Sequence, residues 1–125
     1  MAPTTLPNQV TTTTPLGRNV AEAGHPVRMV ELVSTLRTPA FVARGAVHTP
    51  LETVRTKRLV RRAFEYQARS RCFSLVEILS TCPTNWGIPP TEALEWLEKN
   101  MRPYYPLGIF KTPDDIDRAP APLQK

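Results

Sequence analysis

The feature that most restricts the fold of this sequence is a pair of short apolar segments joined by one long amphipathic helix. The first segment covers residues 40–47 between Pro39 and Pro50, and the second is Phe73–Leu79. Short apolar runs between turn-forming residues are typical of buried strands. Two such strands joined by a helix form a right-handed parallel βαβ unit, so the pattern predicts an α/β fold. No apolar run approaches the ~20 residues that span a bilayer, so no membrane protein is expected.

The connecting helix is predicted over residues 50–70 and has a well-marked start. Thr49 is the expected N-cap, Pro50 the first helical residue and Glu52 the acid that completes a capping box. Arginines occupy the outer arc of this helix, and an apolar arc is predicted to face the core. The predicted core residues of the helix are Leu59, Val60, Ala63, Phe64 and Tyr66.

Two further helices are predicted outside the βαβ unit, one ending near Pro39 and one running from Pro90 to Pro103. A βαβ helix covers one face of its strands, and complete doubly wound sheets have about five or six strands. The chain is therefore either a very small α/β domain or one end of a larger sheet. The second interpretation is favoured, because parallel strands need partners at both edges and cover on both faces.

The two ends of the chain are predicted to lack regular structure. Residues 1–24 are interpreted as an extended Thr/Pro-rich loop, with a disordered tail as the alternative, because threonine and proline disfavour helix there. Residues 111–125 are polar and proline-rich and are predicted to form a loose tail. The folded part is expected to be residues 25–110.

Positive charge is concentrated in the first part of the chain. The net charge is +5, with 11 Lys/Arg and 4 Asp/Glu in residues 1–75 against 5 and 7 in residues 76–125. The helix at 50–70 carries most of this excess, so a small basic nucleic-acid-binding protein is one alternative. No glycine-rich loop, set of stacking aromatic residues or nucleic-acid motif accompanies the charge, and a solvated or subunit-contacting helix face is favoured instead.

Cys82 is the residue that most strongly suggests chemistry. It follows the second strand at its carboxyl end, where open α/β sheets bind ligands, and Cys82-Pro83 matches the last ligand of bacterial iron–sulfur motifs. A buried cysteine without a role is the alternative. Cys72 lies at the other end of the strand, roughly 30 Å away at ~3.3 Å per residue, so the two thiols should not share a cluster or a disulfide. A [4Fe–4S] cluster needs four thiolates, and three would have to come from elsewhere. No metal role is assigned to His25 or His48.

Four blocks of the sequence, taken in order, resemble one known family. They are residues 11–18 (TTTTPLGR), 73–87 (FSLVEILSTCPTNWG), 92–96 (EALEW) and 103–108 (PYYPLG). The family is the β subunit of the 2-oxoacid:ferredoxin oxidoreductases, in the 2-oxoglutarate and 2-ketoisovalerate branch. The resemblance covers about residues 2–111 of this sequence. It extends to the C-terminal half of the family's subunit only.

The resemblance implies a thiamine-diphosphate-binding doubly wound α/β domain, of which residues 25–110 would be one part. With an α subunit, such a protein oxidatively decarboxylates a 2-oxoacid to an acyl-CoA and passes electrons through a [4Fe–4S] cluster to ferredoxin. The resemblance identifies Cys82 as the fourth cluster ligand. It also places the threonines of residues 11–14 just after the cofactor-binding loop, with no specific contact assigned to them.

The sequence also departs from that family. The remaining cluster cysteines and the Gly-Asp-Gly and asparagine pattern that binds Mg²⁺ and the diphosphate lie in the family's N-terminal half, and this chain lacks them. Asn8 stands where the family usually has glycine. No catalytic residue and no thiamine diphosphate contact is therefore assigned, and the isolated chain is expected to be inactive. A split gene, a misassigned start and a non-catalytic remnant that folds poorly are all open interpretations.

The partners expected from the resemblance are the missing N-terminal half of the β subunit, the α subunit and ferredoxin, with coenzyme A and a 2-oxoacid as substrates. A cytoplasmic location is expected, because two cysteines are too few for a disulfide framework and the sequence starts without a secretory signal. Neither a nucleic acid nor a membrane is expected as a partner.

Overall fold

The computed structural model describes residues 2–38, 40–70 and 72–113, which form an α/β structure. The strands are β1 (Ala40–Ala46), β2 (Phe73–Leu79) and β3 (Gly108–Lys111). The helices are α1 (Val20–Ala23), α2 (Met29–Ser34), α3 (Pro50–Ser70), α4 (Pro83–Trp86), α5 (Pro90–Trp96), a π-helix (Leu97–Met101) and α6 (Arg102–Tyr104). Most of the predicted tail at 111–125 lies outside the described residues.

β1 is the central strand of a mixed three-stranded sheet in the order β2-β1-β3. It runs parallel to β2 along its whole length, from the pair Ala40 and Phe73 to the pair Ala46 and Leu79. The predicted parallel βαβ unit is thereby confirmed. The sequence indicated only an extended segment where β3 lies, and the structure pairs it antiparallel with β1, because the helices from α4 to α6 return the chain to the free edge of β1.

Both faces of β1 are covered, whereas the sequence pattern predicted cover on one face only. Alternate residues of a strand point to opposite sides. Phe41 and Ala43 accordingly pack in the cluster under α3, and Ala40 and Val42 pack in the cluster that includes α2. All seven residues of β1 are buried. The sequence located α2 but could not place it on the second face, because that placement depends on tertiary packing.

The predicted start of α3 is confirmed, and the helix lies unusually close to β1. The Thr49 hydroxyl accepts a hydrogen bond from the Glu52 amide at 3.2 Å. One turn later, the Thr56 hydroxyl accepts from the Ala46 amide at 2.9 Å and donates to the Ala46 carbonyl at 2.8 Å. A Cβ added at Gly45 would lie 2.3 Å from the Thr56 hydroxyl oxygen, so this approach requires glycine in the strand.

Two residues that were expected in the core are exposed. Phe64 of α3 is 71% exposed and Leu94 of α5 is 41% exposed. Phe64 follows the buried Ala63 by one position, which rotates its side chain by about 100° around the helix and away from the narrow stripe that contacts the sheet. The assignment of Phe64 and Leu94 to the core was therefore wrong.

The last helical segment continues past the expected stop at Pro103. The Arg102 amide donates to the carbonyl of Leu97, which is the i→i+5 pattern of a π-turn. α6 directly continues the π-helix, and Pro103 lies within it; because proline has no N–H, it donates no helical hydrogen bond there. The helix ends at Tyr104, one residue later than predicted.

Residues 2–19 lie before α1 and form a loop that is joined to itself by bridges between Pro7 and Arg18 and between Thr11 and Thr14. The chain turns back between Thr11 and Thr14, whose backbones exchange hydrogen bonds of 3.1 and 3.0 Å. Asn8 adopts a φ of 60°, a left-handed conformation that glycine adopts freely and asparagine tolerates. Arg18 is 5% exposed and donates to six backbone carbonyls. These carbonyls belong to Ala2, Pro3, Thr5, Ala23, Gly24 and His25.

Candidate functional site

The candidate functional residues lie at the carboxyl ends of the two parallel strands. His48 follows β1, and Cys82 follows β2. The Val47 amide donates to the Leu79 carbonyl at 3.1 Å, so the two strands leave the sheet side by side. Ligands of open α/β sheets bind at this edge, because the loops that follow the strands converge there.

Cys82 is an exposed free thiol at the start of α4. Its carbonyl accepts a hydrogen bond from the Trp86 amide at 3.0 Å, and its side chain makes no capping hydrogen bond. Pro83 is at the first position of α4, where proline is favoured. The sequence indicated a loop at residues 80–87 and did not predict this short helix. The backbone carbonyl of Cys82 thus takes part in the first turn of α4, whereas its sulfur stays exposed.

The threonine-rich loop is joined to the Cys82 segment through Asn85. The Thr12 amide donates to the Asn85 carbonyl at 2.9 Å, and the Thr12 hydroxyl donates to the Asn85 side-chain oxygen. The hydroxyl of Thr14 is buried and has no hydrogen-bond partner among the described residues. Two blocks that are far apart in sequence and that both carry the family resemblance therefore lie together at one edge of the sheet.

His48 forms a pair with Glu98 that sequence analysis missed. The imidazole Nε2 lies 2.6 Å from a carboxylate oxygen of Glu98, and the His48 side chain is 2% exposed. The hydrogen bond from His48 lowers the pKa of the Glu98 carboxyl, and Arg102 at 2.5 Å adds to this effect. The two residues are 50 positions apart, so no local spacing could reveal the pair. The π-turn that carries Glu98 is a feature often found at functional positions, but it was not predicted.

The described residues can offer one cysteine ligand at this edge. Cys72 is buried just before β2 and Cys82 is exposed just after it, which confirms that the two thiols lie at opposite ends of the strand. Within residues 2–38, 40–70 and 72–113, no three His, Cys, Asp or Glu side chains are grouped closely enough to hold a metal ion. A multi-ligand metal centre at Cys82 would therefore need ligands from beyond these residues.

Part of the positive charge on α3 is engaged in contacts within the chain. Arg55 forms an ion pair with Glu52 at 2.6 Å, and Arg62 lies over the rings of Phe41 and Tyr66 at 5.7 and 5.4 Å. Such contacts use arginine for packing as well as for charge. In the part of the chain that the structure describes, no helix is both long enough and apolar enough to cross a membrane.

Comparison with known proteins relates the chain to an oxidoreductase subunit. It is 38% identical over 111 residues to the ketoisovalerate oxidoreductase subunit VorA of Methanothermobacter thermautotrophicus, and 39% identical over 111 residues to VorA of Methanothermobacter marburgensis. Each match covers 89% of this chain and 23% of the relative. The chain thus spans about a quarter of the length of these curated relatives, less than the half of a subunit that the resemblance implied. No family model and no solved structure matches the chain.

Proposed function

We propose that this chain is part of a 2-oxoacid:ferredoxin oxidoreductase and belongs to its β subunit, in the 2-oxoglutarate and 2-ketoisovalerate branch. Its homology to a ketoisovalerate oxidoreductase subunit supports the general class of enzyme. The observation that carries the finer proposal is Cys82, an exposed free thiol within the family-like Ser-Thr-Cys-Pro-Thr-Asn-Trp block at the carboxyl end of β2.

The environment of Cys82 fits the role of a single ligand to a [4Fe–4S] cluster. The thiol is exposed, it is not used in local hydrogen bonding, and α4 fixes the backbone on its carboxyl side. When bound, the cluster would carry electrons from the oxidised substrate to ferredoxin. The other three thiolates would come from outside this chain, since Cys72 lies at the opposite end of β2.

The role proposed for the chain with respect to thiamine diphosphate and Mg²⁺ is structural. The Gly-Asp-Gly pattern is absent from the sequence, so these residues are not proposed to bind Mg²⁺ or the diphosphate. The bonds from Thr12 to Asn85 hold the threonine-rich loop beside the Cys82 segment. In the proposed enzyme, this contact would fix the distance between the region near the thiamine and the cluster.

The complete enzyme would contain the rest of the β subunit and an α subunit, and it would act in the cytoplasm. It would convert a 2-oxoacid and coenzyme A to an acyl-CoA and reduce ferredoxin. Because the motifs for the organic cofactor are absent, the isolated chain is expected to be inactive.

The test is the replacement of Cys82 by serine in a complex reconstituted from this chain, the remainder of the subunit and the α subunit. We expect Cys82→Ser to lower the iron content and to abolish ferredoxin reduction, because serine is a poor substitute for a thiolate ligand. Cys72→Ser is the matched control and should retain both properties. Iron content and ferredoxin reduction that are unchanged in Cys82→Ser would refute the ligand assignment.

A further inference from the structure

An open cavity of about 390 Å³ lies between the threonine-rich loop and the helices that follow Cys82. This volume is within the range of about 300–1,000 Å³ that small-molecule sites occupy. Residues 6–10 form one wall, and the second wall is formed by Trp86, Ile88, Trp96 and Asn100. The hydrogen bonds between Thr12 and Asn85 join the segments that carry the two walls. The cavity is therefore built from two segments whose relative position is fixed by contacts outside it.

The lining of this cavity is aromatic and uncharged. Trp86 and Trp96 are half-buried, and their ring centroids are 4.7 Å apart with 48° between the ring planes. Among the described residues that line the cavity, none carries a charge, and three have side-chain amides, namely Asn8, Gln9 and Asn100. A phosphate or carboxylate group would gain no ion pair here, whereas a neutral planar ring can stack on tryptophan and form hydrogen bonds with amides.

Two of these amides are held by hydrogen bonds within the chain, and each keeps one group free. The Gln9 side-chain oxygen accepts from the Leu6 amide at 2.8 Å, which leaves the Gln9 NH2 group to donate. The Asn100 NH2 group donates to the Trp96 carbonyl at 3.0 Å, which leaves the Asn100 side-chain oxygen to accept. Asn100 belongs to the π-helix, a feature often found at functional positions. The cavity thus offers a positioned donor and a positioned acceptor.

Asn8 is the third amide, and its backbone conformation does not explain why it is asparagine. Its φ of 60° is uncommon for a residue with a side chain, and such conformations are concentrated at functional sites. Glycine would adopt this conformation more freely, and glycine is usual here in the family that the chain resembles. The Asn8 amide N–H donates to the Arg18 carbonyl at 3.0 Å, which holds the backbone in place. The side chain is therefore a polar group that this chain adds to the cavity.

We propose that this cavity is a binding site for an adenine base. The base would stack against the tryptophan wall, and the Asn8 amide would accept from its N6 amine and donate to its N7, the pairing that asparagine makes with adenine. One neutral side chain makes both hydrogen bonds, so the lining needs no charge. The site does not use the thiol of Cys82 and does not rest on the proposed function. Adenine occurs in free nucleotides and in coenzyme A, and the test includes both sources.

Intrinsic fluorescence of the full chain tests the site, because Trp86 and Trp96 are the two tryptophans of the sequence. We expect adenosine to quench this fluorescence saturably, and inosine, which has an oxygen in place of the N6 amine, to bind about tenfold more weakly. Adenosine should also raise the urea unfolding midpoint, because a ligand of the folded state stabilises it. Absence of both effects, or equal binding of inosine, would overturn the proposal. Tighter binding of thiamine than of adenosine would show that the tryptophans select a cationic ring, and would overturn it as well.

Asn8→Gly is the matched variant, because it removes the amide and keeps a residue that accepts the backbone conformation. We expect it to bind adenosine about tenfold more weakly and to lose the difference between adenosine and inosine. Asn8→Asp keeps the size but cannot donate to N7, so it should show the same loss and serves if Asn8→Gly is not folded by far-UV circular dichroism. Gln67→Ala removes an exposed amide from α3 and is the control that should change nothing. A difference between adenosine and inosine that persists in Asn8→Gly would refute the role of Asn8 and with it the proposed site.

Two further comparisons identify the source of the base and separate this site from the proposed cluster. AMP is expected to bind as adenosine does, because no charged side chain lines the cavity. Coenzyme A that binds no more tightly than AMP would assign the site to free adenine nucleotides, and tighter binding that Asn8→Gly weakens would assign it to coenzyme A; both results support an adenine site. Cys82→Ser should leave the quenching unchanged. Failure of the cluster assignment and failure of this site are therefore separate results.

Discussion

Arg18 and Arg44 are both buried, yet their positive charges are stabilised in different ways. Arg18 donates to six backbone carbonyls and has no carboxylate partner within the described ranges. Arg44 is fully buried, pairs with the carboxylates of Glu31 and Glu77, and donates to the Pro106 carbonyl at 3.2 Å. A buried guanidinium can thus be stabilised either by many neutral dipoles or by a few opposite charges.

The two arginines also differ in what they connect. The partners of Arg18 lie within 16 positions of it, so its bonds hold together one local loop. The partners of Arg44 belong to α2, to β2 and to the segment before β3. Arg44 also lies over the rings of Tyr105 and Phe110 at 5.1 and 5.2 Å. Arg18 therefore determines the shape of a loop, whereas Arg44 links the elements around the sheet.

The ion pairs of Arg44 also shift pKa values, both its own and that of Glu31. Burial by itself lowers the pKa of Arg44, but its hydrogen bonds with Glu31 and Glu77 outweigh this effect and raise the pKa overall. The hydrogen bond from Arg44 is the main reason that the pKa of Glu31 is lowered. The six partners of Arg18 are backbone carbonyls, which carry no ionisable group.

The largest expected effect is that of Arg44→Met. This change leaves two partly buried carboxylates without their cation, and removing one member of a buried ion pair costs about 3–5 kcal/mol. We expect the urea unfolding midpoint, followed by far-UV circular dichroism, to fall for the whole chain. Adding Glu31→Gln and Glu77→Gln should restore part of the loss. A loss below about 1 kcal/mol would show that the sheet does not depend on this cluster.

Arg18→Met is expected to have a more local effect, with little loss of stability in the sheet. Each hydrogen bond to a charged group contributes about 1.5–3 kcal/mol, and all six bonds of Arg18 stabilise the segment from Ala2 to His25. We expect faster amide exchange and faster proteolysis in this segment, with little change in β1. Arg28→Met, which removes an exposed arginine stacked on Tyr104 at 4.5 Å, is the control. Equal loss of protection in β1 would contradict the distinction between the two arginines.

The Arg44 cluster should make stability depend on pH through Glu31. The folded-state pKa of Glu31 is lowered from 4.5, so its stabilising contribution is present above pH 4.5 and is lost as the pH falls through the folded value. We expect the urea midpoint to fall on acidification below about pH 4.5, and Glu31→Gln to flatten part of that dependence. Exchange rates in the Arg18 loop, corrected for intrinsic pH effects, should not follow the same curve.

The smallest expected effect comes from an exposed ion pair that provides a baseline. Lys99 and Glu95 are 3.3 Å apart on the helix surface, with side chains 73% and 74% exposed. Pairs of this kind contribute about 0.3–0.5 kcal/mol, because solvent screens the charges. Lys99→Gln should therefore leave the urea midpoint nearly unchanged. If Lys99→Gln lowered the urea midpoint as much as Arg44→Met, burial would not determine how much an ion pair contributes to stability.

Predictions from local sequence signals were largely confirmed. The proline and threonine at the start of α3 place its first turn correctly, because capping involves residues only three positions apart. The apolar runs identify β1 and β2, and the position of Cys82 at the end of β2 follows from them. The family resemblance of the Cys82 block also comes from adjacent residues.

Features that depend on distant partners were missed or misplaced. Sequence alone gave no sign that His48 contacts Glu98, that β3 pairs with β1, or that Phe64 is exposed. In the sequence, nothing distinguishes Arg18 and Arg44 from exposed arginines, because their partners become visible only in the folded structure. The helix and strands of the βαβ unit were set by local patterning, which acts over a few residues. The buried charges, the second covered face and the free edge of β2 were decided by tertiary structure, because a side chain's partner and burial depend on chain segments that only folding brings together.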